Sequence, residues 1–138
     1  MVIVAAVDQS ERASAVVTEA IELGRAYEET VHVVHVTTES AFDETERGGG
    51  DSKDEAVIRE SAREVAAAAA DGVKDSVETV GLIGEPSNTI VGYAEEQDAR
   101  YIVLGPRKRS PVGKAVFGSV AQSVLLNATH PVVTVVSD

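Results

Sequence analysis

The sequence contains no cysteine. Disulfide frameworks and thiol chemistry are therefore excluded. The 138 residues, 43% of them hydrophobic, are enough for one domain, covering 1–138, with a core that needs neither disulfides nor metal. No apolar run approaches the length of a membrane span, and Met1–Val4 has neither the basic start nor the length of a signal peptide. We therefore expect a soluble, cytoplasmic protein.

Basic residues are also few, and they are unevenly distributed. Residues 1–99 carry 22 acidic and 7 basic side chains, whereas residues 100–138 carry five basic residues and one acidic residue, Asp138. A net charge of −11 repels phosphate backbones, so nucleic acid is not an expected partner. Scarce lysine with abundant carboxylate resembles the surface of a protein from a high-salt cytoplasm, where charge repulsion is screened. A moderately acidic protein from an ordinary cell is the alternative.

The hydrophobic pattern predicts alternating strands and helices. Continuous or nearly continuous apolar runs predict five strands, at 2–7, 31–36, 76–83, 101–104 and 132–136. Apolar residues at helical spacing predict four helices, at 13–27, 54–72, 86–98 and after 118–119, with Ser10 as the N-cap of the first. Residues 37–54 have three glycines and no periodicity, and are expected to form a loop or a lid. This order predicts an open α/β sandwich with a parallel sheet.

One stretch, Tyr101–Val124, has the features of a phosphate cradle. An apolar strand ends at Gly105, a loop with four basic residues follows, and Gly118–Ser119 precedes a helix. Glycines allow close backbone approach, and the N–H groups at a helix start favour an anion. No carboxylate occurs from Arg100 to Ser137, which favours the same interpretation. The alternative is that these elements offer few exposed positions.

Two buried strands end in site-like residues, Asp8 after the first and Gly105 after the fourth. In open parallel sheets, ligands bind outside the carboxyl ends of the strands where the winding direction reverses. If the two strands are neighbours, a carboxylate and a basic glycine loop face one crevice. This combination fits a nucleotide. Alternatively, Asp8 caps the following helix together with Ser10.

Other site types fit the sequence less well. A Walker A loop requires glycine and Ser or Thr where Lys108 and Ala115 stand. No G-x-G-x-x-G follows the first strand, which disfavours a dinucleotide fold. His32 and His35 fall on opposite faces of one strand and cannot jointly bind a metal. No Ser, His and acid arrangement is evident, so we expect neither a metal site nor a catalytic triad.

Several segments together carry a resemblance to a known family. They are V-A-A-V-D-Q-S-E at the start, V-H-V-V-H-V, G-E-P, Y-I-V-L-G, G-S-V-A-Q-S-V, and H-P-V-V-T-V-V at the end. Over essentially its whole length the chain resembles the universal stress protein (UspA-like) family. The resemblance implies a five-stranded parallel sheet in the order 3-2-1-4-5, with helices on both faces. It also implies a homodimer through the last strand, Val132–Val136.

The resemblance also implies a nucleotide site. ATP-binding members carry Gly, two residues, Gly, nine residues and Gly-Ser, and this chain matches at Gly105 and Gly118–Ser119 but has Lys108 at the second glycine. By position, the adenosine end is implied to be lined by Ala6, Asp8, Val36 and Leu104. The ribose and phosphates are implied to lie against Gly105, Gly118, Ser119 and Val120. Lys108 either supplies a cation to the phosphates or closes the site.

Two functions from different classes follow from this resemblance. The first is a regulatory dimer that binds ATP or AMP, with or without Mg²⁺, and hydrolyses it slowly or not at all. The second is a stress protein that binds no nucleotide and acts through protein–protein interaction. The absence of an evident general base beside the phosphates argues against a fast ATPase.

Overall fold

The computed structural model describes residues 1–40, 54–105, 108–109, 115–116 and 118–136. The strands within these ranges are β1 Val2–Ala6, β2 Thr30–Thr37, β3 Val77–Ile83, β4 Ala99–Leu104, β5 Lys108–Arg109, β6 Ala115–Val116 and β7 Val132–Thr134. The helices are α1 Ala13–Tyr27, α2 Glu55–Ala69, α3 Pro86–Glu96 and α4 Ser119–Asn127. In the part of the chain described, no helix is long and apolar enough to cross a membrane.

Five of the strands form one parallel sheet in the order β3-β2-β1-β4-β7. Numbered along the chain, the five strands of this sheet have the order 3-2-1-4-5, so the predicted topology is confirmed. The winding direction reverses between β1 and β4, which are hydrogen-bonded neighbours. The carboxyl ends of these two strands therefore form the crevice where such sheets bind ligands.

Helices cover both faces of the sheet, which explains why the central strands are apolar without alternation. On one face Ile3, Ala5 and Val33 pack against α1 and Ala66 of α2. On the other face, strand residues pack against residues of α3 and α4. The strand residues are Val4, Val34, Ile102 and Leu104, and the helix residues are Ile90, Ala94, Ala121 and Val124. Each central strand thus contributes alternate residues to two separate cores.

The prediction that Ser10 is the N-cap of the first helix is wrong. The helix begins at Ala13, and its N-cap is Arg12, which makes no side-chain cap hydrogen bond. Asp8 accounts for the difference, because its Oδ1 accepts a hydrogen bond from the N–H of Ser10 at 2.9 Å. The Ser10 hydroxyl in turn accepts from the N–H of Arg12 at 3.3 Å. These two residues therefore stabilise a turn that precedes the helix.

The two predicted loops have different outcomes. Most of the expected loop or lid at 37–54 lies outside the described residues. At its two ends, β2 reaches Thr37 and α2 follows Asp54. The side chain of Asp54 caps α2 by accepting a hydrogen bond from the N–H of Ala56 at 2.9 Å. The basic loop after Gly105 contains the short antiparallel pair β5–β6, in which Lys108 lies opposite Val116. The sequence pattern did not predict this pair, because two-residue strands leave no periodicity to detect.

Candidate functional site

A cavity of about 330 Å³ lies at the carboxyl ends of β1, β2 and β4. Its volume falls within the range of small-molecule sites. The strands contribute residues at or just after their ends, including Ala6, Val36 and Leu104. The remaining walls come from the starts of three helices: Ala13 and Val16 of α1, Pro86 and Ile90 of α3, and Ser119, Val120 and Ala121 of α4.

The structure brings eight of the nine residues proposed from the sequence to this cavity. They are Ala6, Asp8, Val36, Leu104, Gly105, Gly118, Ser119 and Val120. The ninth, Lys108, belongs to β5, and its side chain lies outside the described part of the chain. The strand-end residues Val36 and Leu104 are buried, whereas Ser119 and Val120 on α4 are exposed. The cavity therefore has an apolar floor and a more polar, accessible wall.

Two helices begin at the cavity, and their N-termini differ chemically. The N-cap of α3 is Glu85, whose carboxylate accepts from the N–H groups of Ser87 and Asn88 at 3.4 and 2.8 Å. The bond from Asn88 is the main cause that holds the pKa of Glu85 below its ordinary value. The N-cap of α4 is Gly118, which has no side chain that could cap the helix. A carboxylate thus satisfies the start of α3, while no side chain of the described residues caps α4, and N–H groups at such a helix start favour an anion.

The described charged side chains that line the cavity are Asp8 and Arg12. Oδ1 of Asp8 is held by Ser10, while Oδ2 makes no hydrogen bond to the described residues, so this oxygen can accept from a ligand hydroxyl. Arg12 was missed by the sequence reasoning, which considered only the basic residues after Gly105. The sequence feature that could have identified Arg12 is its position between Asp8 and the start of the first helix.

His35 is a second lining residue that the sequence reasoning did not assign to the site. Its Nδ1 lies 2.8 Å from the carbonyl oxygen of Val7, so Nδ1 carries the proton and donates. In the neutral ring this tautomer leaves Nε2 as an acceptor. The cavity therefore contains a side chain that can recognise a ligand N–H or O–H group.

Gly105 approaches other parts of the chain closely, as its place at the end of β4 suggested. A Cβ atom added at Gly105 would lie 3.2 Å from Cγ2 of Val16 and 3.3 Å from the carbonyl oxygen of Val135. Both distances are tighter than ordinary van der Waals contact. Glycine is therefore needed for packing between β4, α1 and the segment after β7, in addition to any role towards a ligand.

Metal ligation finds no support in the described residues, where no group of three or more His, Asp or Glu side chains could hold an ion. His32 and His35 lie on opposite faces of β2. His32 is buried against α3, with Nδ1 2.7 Å from the Tyr93 hydroxyl and Nε2 3.0 Å from Glu78. The Glu78 carboxylate only accepts, so Nε2 carries the proton, and Nδ1 of the neutral ring accepts from the Tyr93 hydroxyl. Burial is the main cause that raises the pKa of Tyr93. This buried histidine is a satisfied structural residue.

Comparison with known proteins relates the whole fold to one family. The model of the universal stress protein family matches residues 1–136. A curated universal stress protein of Methanocaldococcus jannaschii is 41% identical over 64 residues, which are 46% of this chain and 36% of that protein. The alignments thus span about a third of the length of the curated relatives that the chain matches.

Two solved structures match the chain over nearly its full length. The structure of a universal stress protein from Archaeoglobus fulgidus is 38% identical, with a TM-score of 0.61 and 97% of each chain covered. A structure from the same organism, described as a universal stress protein in complex with dAMP, is 34% identical, with a TM-score of 0.58 and coverage of 97% of this chain and 96% of that one.

Proposed function

Because this chain belongs to the universal stress protein family, we propose that it is a regulatory protein that binds ATP or another adenine nucleotide and hydrolyses it slowly or not at all. One observation carries the proposal: the uncapped N-terminus of α4 forms a wall of a cavity at the carboxyl ends of β1 and β4. The relative bound to dAMP supports an adenine nucleotide as the ligand class.

The physical character of the cavity supports one orientation of the nucleotide. We place adenine against the apolar floor, where Ala6, Val36 and Leu104 offer a surface for a planar base. Asp8 accepts from the ribose hydroxyls. The phosphates lie at Gly105, Gly118, Ser119 and Val120, where backbone N–H groups and the helix dipole favour negative charge. Arg12 and Lys108 contribute positive charge.

Slow or absent hydrolysis follows from the placement of the acidic groups. Among the described lining residues Asp8 is the carboxylate, and we place it at the ribose end. A water molecule beside the terminal phosphate then has no described carboxylate to act as its general base. We therefore propose binding and signalling, with any turnover a minor activity.

Calorimetric titration with ATP, AMP and adenosine tests the proposal. We expect saturable binding by the unmodified protein and its loss in Ala6→Leu, because the larger side chain fills the space assigned to adenine. Leu126→Ala is the matched control, because Leu126 is 84% exposed and does not line the cavity. Absence of heat with all three ligands would contradict nucleotide binding and leave protein–protein interaction as the function.

We also propose that the chain forms a homodimer through β7. This strand lies at the edge of the sheet and pairs with β4 on one side. Its pairing continues beyond Thr134, because the N–H of Val135 donates to the carbonyl of Leu104 at 2.8 Å. A valine-rich edge of this kind is a template for pairing with another chain.

A further inference from the structure

Four polar side chains form a continuous connection between α3 and α4 next to the cavity. Ser87 is 3% exposed, and its hydroxyl oxygen lies 3.0 Å from Oε2 of Glu85 and 2.9 Å from Oγ of Ser123. Nδ2 of Asn127 lies 3.2 Å from the same Ser123 oxygen. We call Glu85, Ser87, Ser123 and Asn127 the polar chain.

The Ser87 hydroxyl is the donor at the centre of the polar chain. It donates to Oγ of Ser123 at 2.9 Å, and it also lies within hydrogen-bond distance of both carboxylate oxygens of Glu85, which only accept. The amide of Asn127 donates to the same Ser123 oxygen. Ser123 is therefore the acceptor that joins α4 to Ser87 and, through it, to Glu85, the cap of α3.

The polar chain lies directly behind the wall assigned to the phosphates. Ser119, Ser123 and Asn127 are spaced four residues apart and share one face of α4. Ser119 lines the cavity, and Ser123, four residues later, lies about 6 Å further along the axis. On α3, Pro86 next to Ser87 also lines the cavity. Contact between Ser87 and Ser123 therefore joins two of its walls.

Apolar packing alone leaves the position of α4 less defined. The buried residues of this helix are Ala121 and Val124, and their apolar contacts are not directional. Hydrogen bonds weaken steeply outside a donor–acceptor distance of about 2.7–3.2 Å. The bond from Ser87 to Ser123 therefore restricts the rotation and axial height of α4, and with them the position of its first N–H groups.

We propose that the polar chain positions the first turn of α4 for the phosphate end of the ligand. These are positioning residues, because they act through the backbone at Ser119–Ala121 rather than by touching the ligand. The inference rests on the proposed nucleotide binding and adds a prediction of its own. Loss of the polar chain weakens the binding of ligands that carry a phosphate and leaves the affinity for the nucleoside unchanged.

The test compares AMP with adenosine in Ser123→Ala. We expect the Kd for AMP to rise about tenfold, the equivalent of one hydrogen bond (about 1.4 kcal/mol), while the Kd for adenosine changes less than about twofold. Ser123→Thr keeps the hydroxyl and should restore AMP binding. Thr18→Ala is the matched control, because the one hydrogen bond of the Thr18 hydroxyl to the described residues goes to the carbonyl of Ser14 in its own helix, at 2.9 Å.

A readout without ligand separates this inference from the proposed function. Hydrogen exchange of the amides in α4 should accelerate in Ser123→Ala and stay unchanged in Thr18→Ala, since only the first variant loosens this helix. An equal loss of affinity for AMP and adenosine, or unchanged amide exchange rates in α4, would overturn the positioning role. Nucleotide binding would still stand. Failure of the unmodified protein to bind either ligand would overturn both proposals.

Discussion

At the scale of single residues, the start of each helix decides which part of the cavity can accept an anion. Glu85 places a carboxylate on the amides of α3, whereas Gly118 leaves those of α4 open. A phosphate would be repelled by the first and attracted by the second. Lys108 either contacts the phosphates or closes the site. It stands where the resemblance implies a glycine in ATP-binding members, and it lies opposite Val116 in the β5–β6 pair.

Two substitutions of Lys108 distinguish its possible roles. If its ammonium group contacts phosphate, Lys108→Ala should weaken ATP binding by about 1–3 kcal/mol and leave adenosine binding unchanged. If the side chain closes the site, Lys108→Gly should tighten ATP binding. Calorimetry on both variants gives the answer, with Lys74→Ala as the control because Lys74 is exposed and distant from the cavity lining. Unchanged ATP affinity in both variants would remove Lys108 from the site.

At the scale of the elements, β3 depends on a glycine for the packing of α2. A Cβ atom at Gly81 would overlap the backbone carbonyl of Arg59 and the backbone nitrogen of Arg63. β3 lies at an edge of the five-stranded sheet, where a glycine within a strand is tolerated. The glycine is needed here because the strand and the helix backbone are in direct contact.

Gly81→Ala should therefore destabilise the protein strongly. Backbone atoms cannot move aside as side chains do, so we expect a loss of about 3 kcal/mol or more in the free energy of unfolding, at the upper end for overpacked sites. Gly92→Ala is the matched control, because a Cβ atom there meets nothing within 4 Å. This variant in α3 should gain about 0.5–1 kcal/mol from reduced backbone entropy. Urea unfolding of both variants measures the difference, and equal stabilities would refute the contact.

At the scale of the whole molecule, β7 forms one edge of the sheet in the described residues, and we propose that a second chain pairs there. The N–H of Val135 points inward to Leu104, so by alternation the N–H of Thr134 points outward. Thr134→Pro removes this outward donor while the inward pairing of β7 remains. We expect it to convert the proposed dimer to a monomer in sedimentation experiments. Thr134→Val keeps the N–H and should remain dimeric; a dimeric proline variant would exclude this interface.

The charge of the whole chain predicts a response to salt. Its 23 acidic residues exceed its 12 basic residues, so ion pairs such as Arg25–Asp75 can neutralise only part of the repulsion. The Debye length falls from about 10 Å at 0.1 M salt to about 3 Å at 1 M. We expect the melting temperature to rise with KCl over this range as repulsion is screened. A flat or falling curve would mean that the acidity has no adaptive role in salt.

The sequence by itself determined the sheet and the backbone positions of the candidate site. Strands covered on both faces are apolar over continuous runs, so β1 and most of β4 could be predicted from the sequence without tertiary information. Asp8 and Gly105 directly follow these strands, and parallel strands end at one edge, so the two residues had to lie near each other once β1 and β4 were neighbours. Local order along the chain was sufficient to predict the strands and the residues that follow them, whereas the strand order 3-2-1-4-5, which makes β1 and β4 neighbours, came from the resemblance to the universal stress protein family.

Only the tertiary structure decided which distant side chains meet. Ser87 and Ser123 are 36 residues apart, and their hydrogen bond depends on how α3 and α4 pack. The tautomer of His35 depends on the carbonyl of Val7, the residue after β1, and the need for Gly81 depends on the backbone of α2. Hydrophobic periodicity reports the burial of a residue within its own element. It carries no information on which element covers that residue, so contacts of this kind emerge only when the chain is packed.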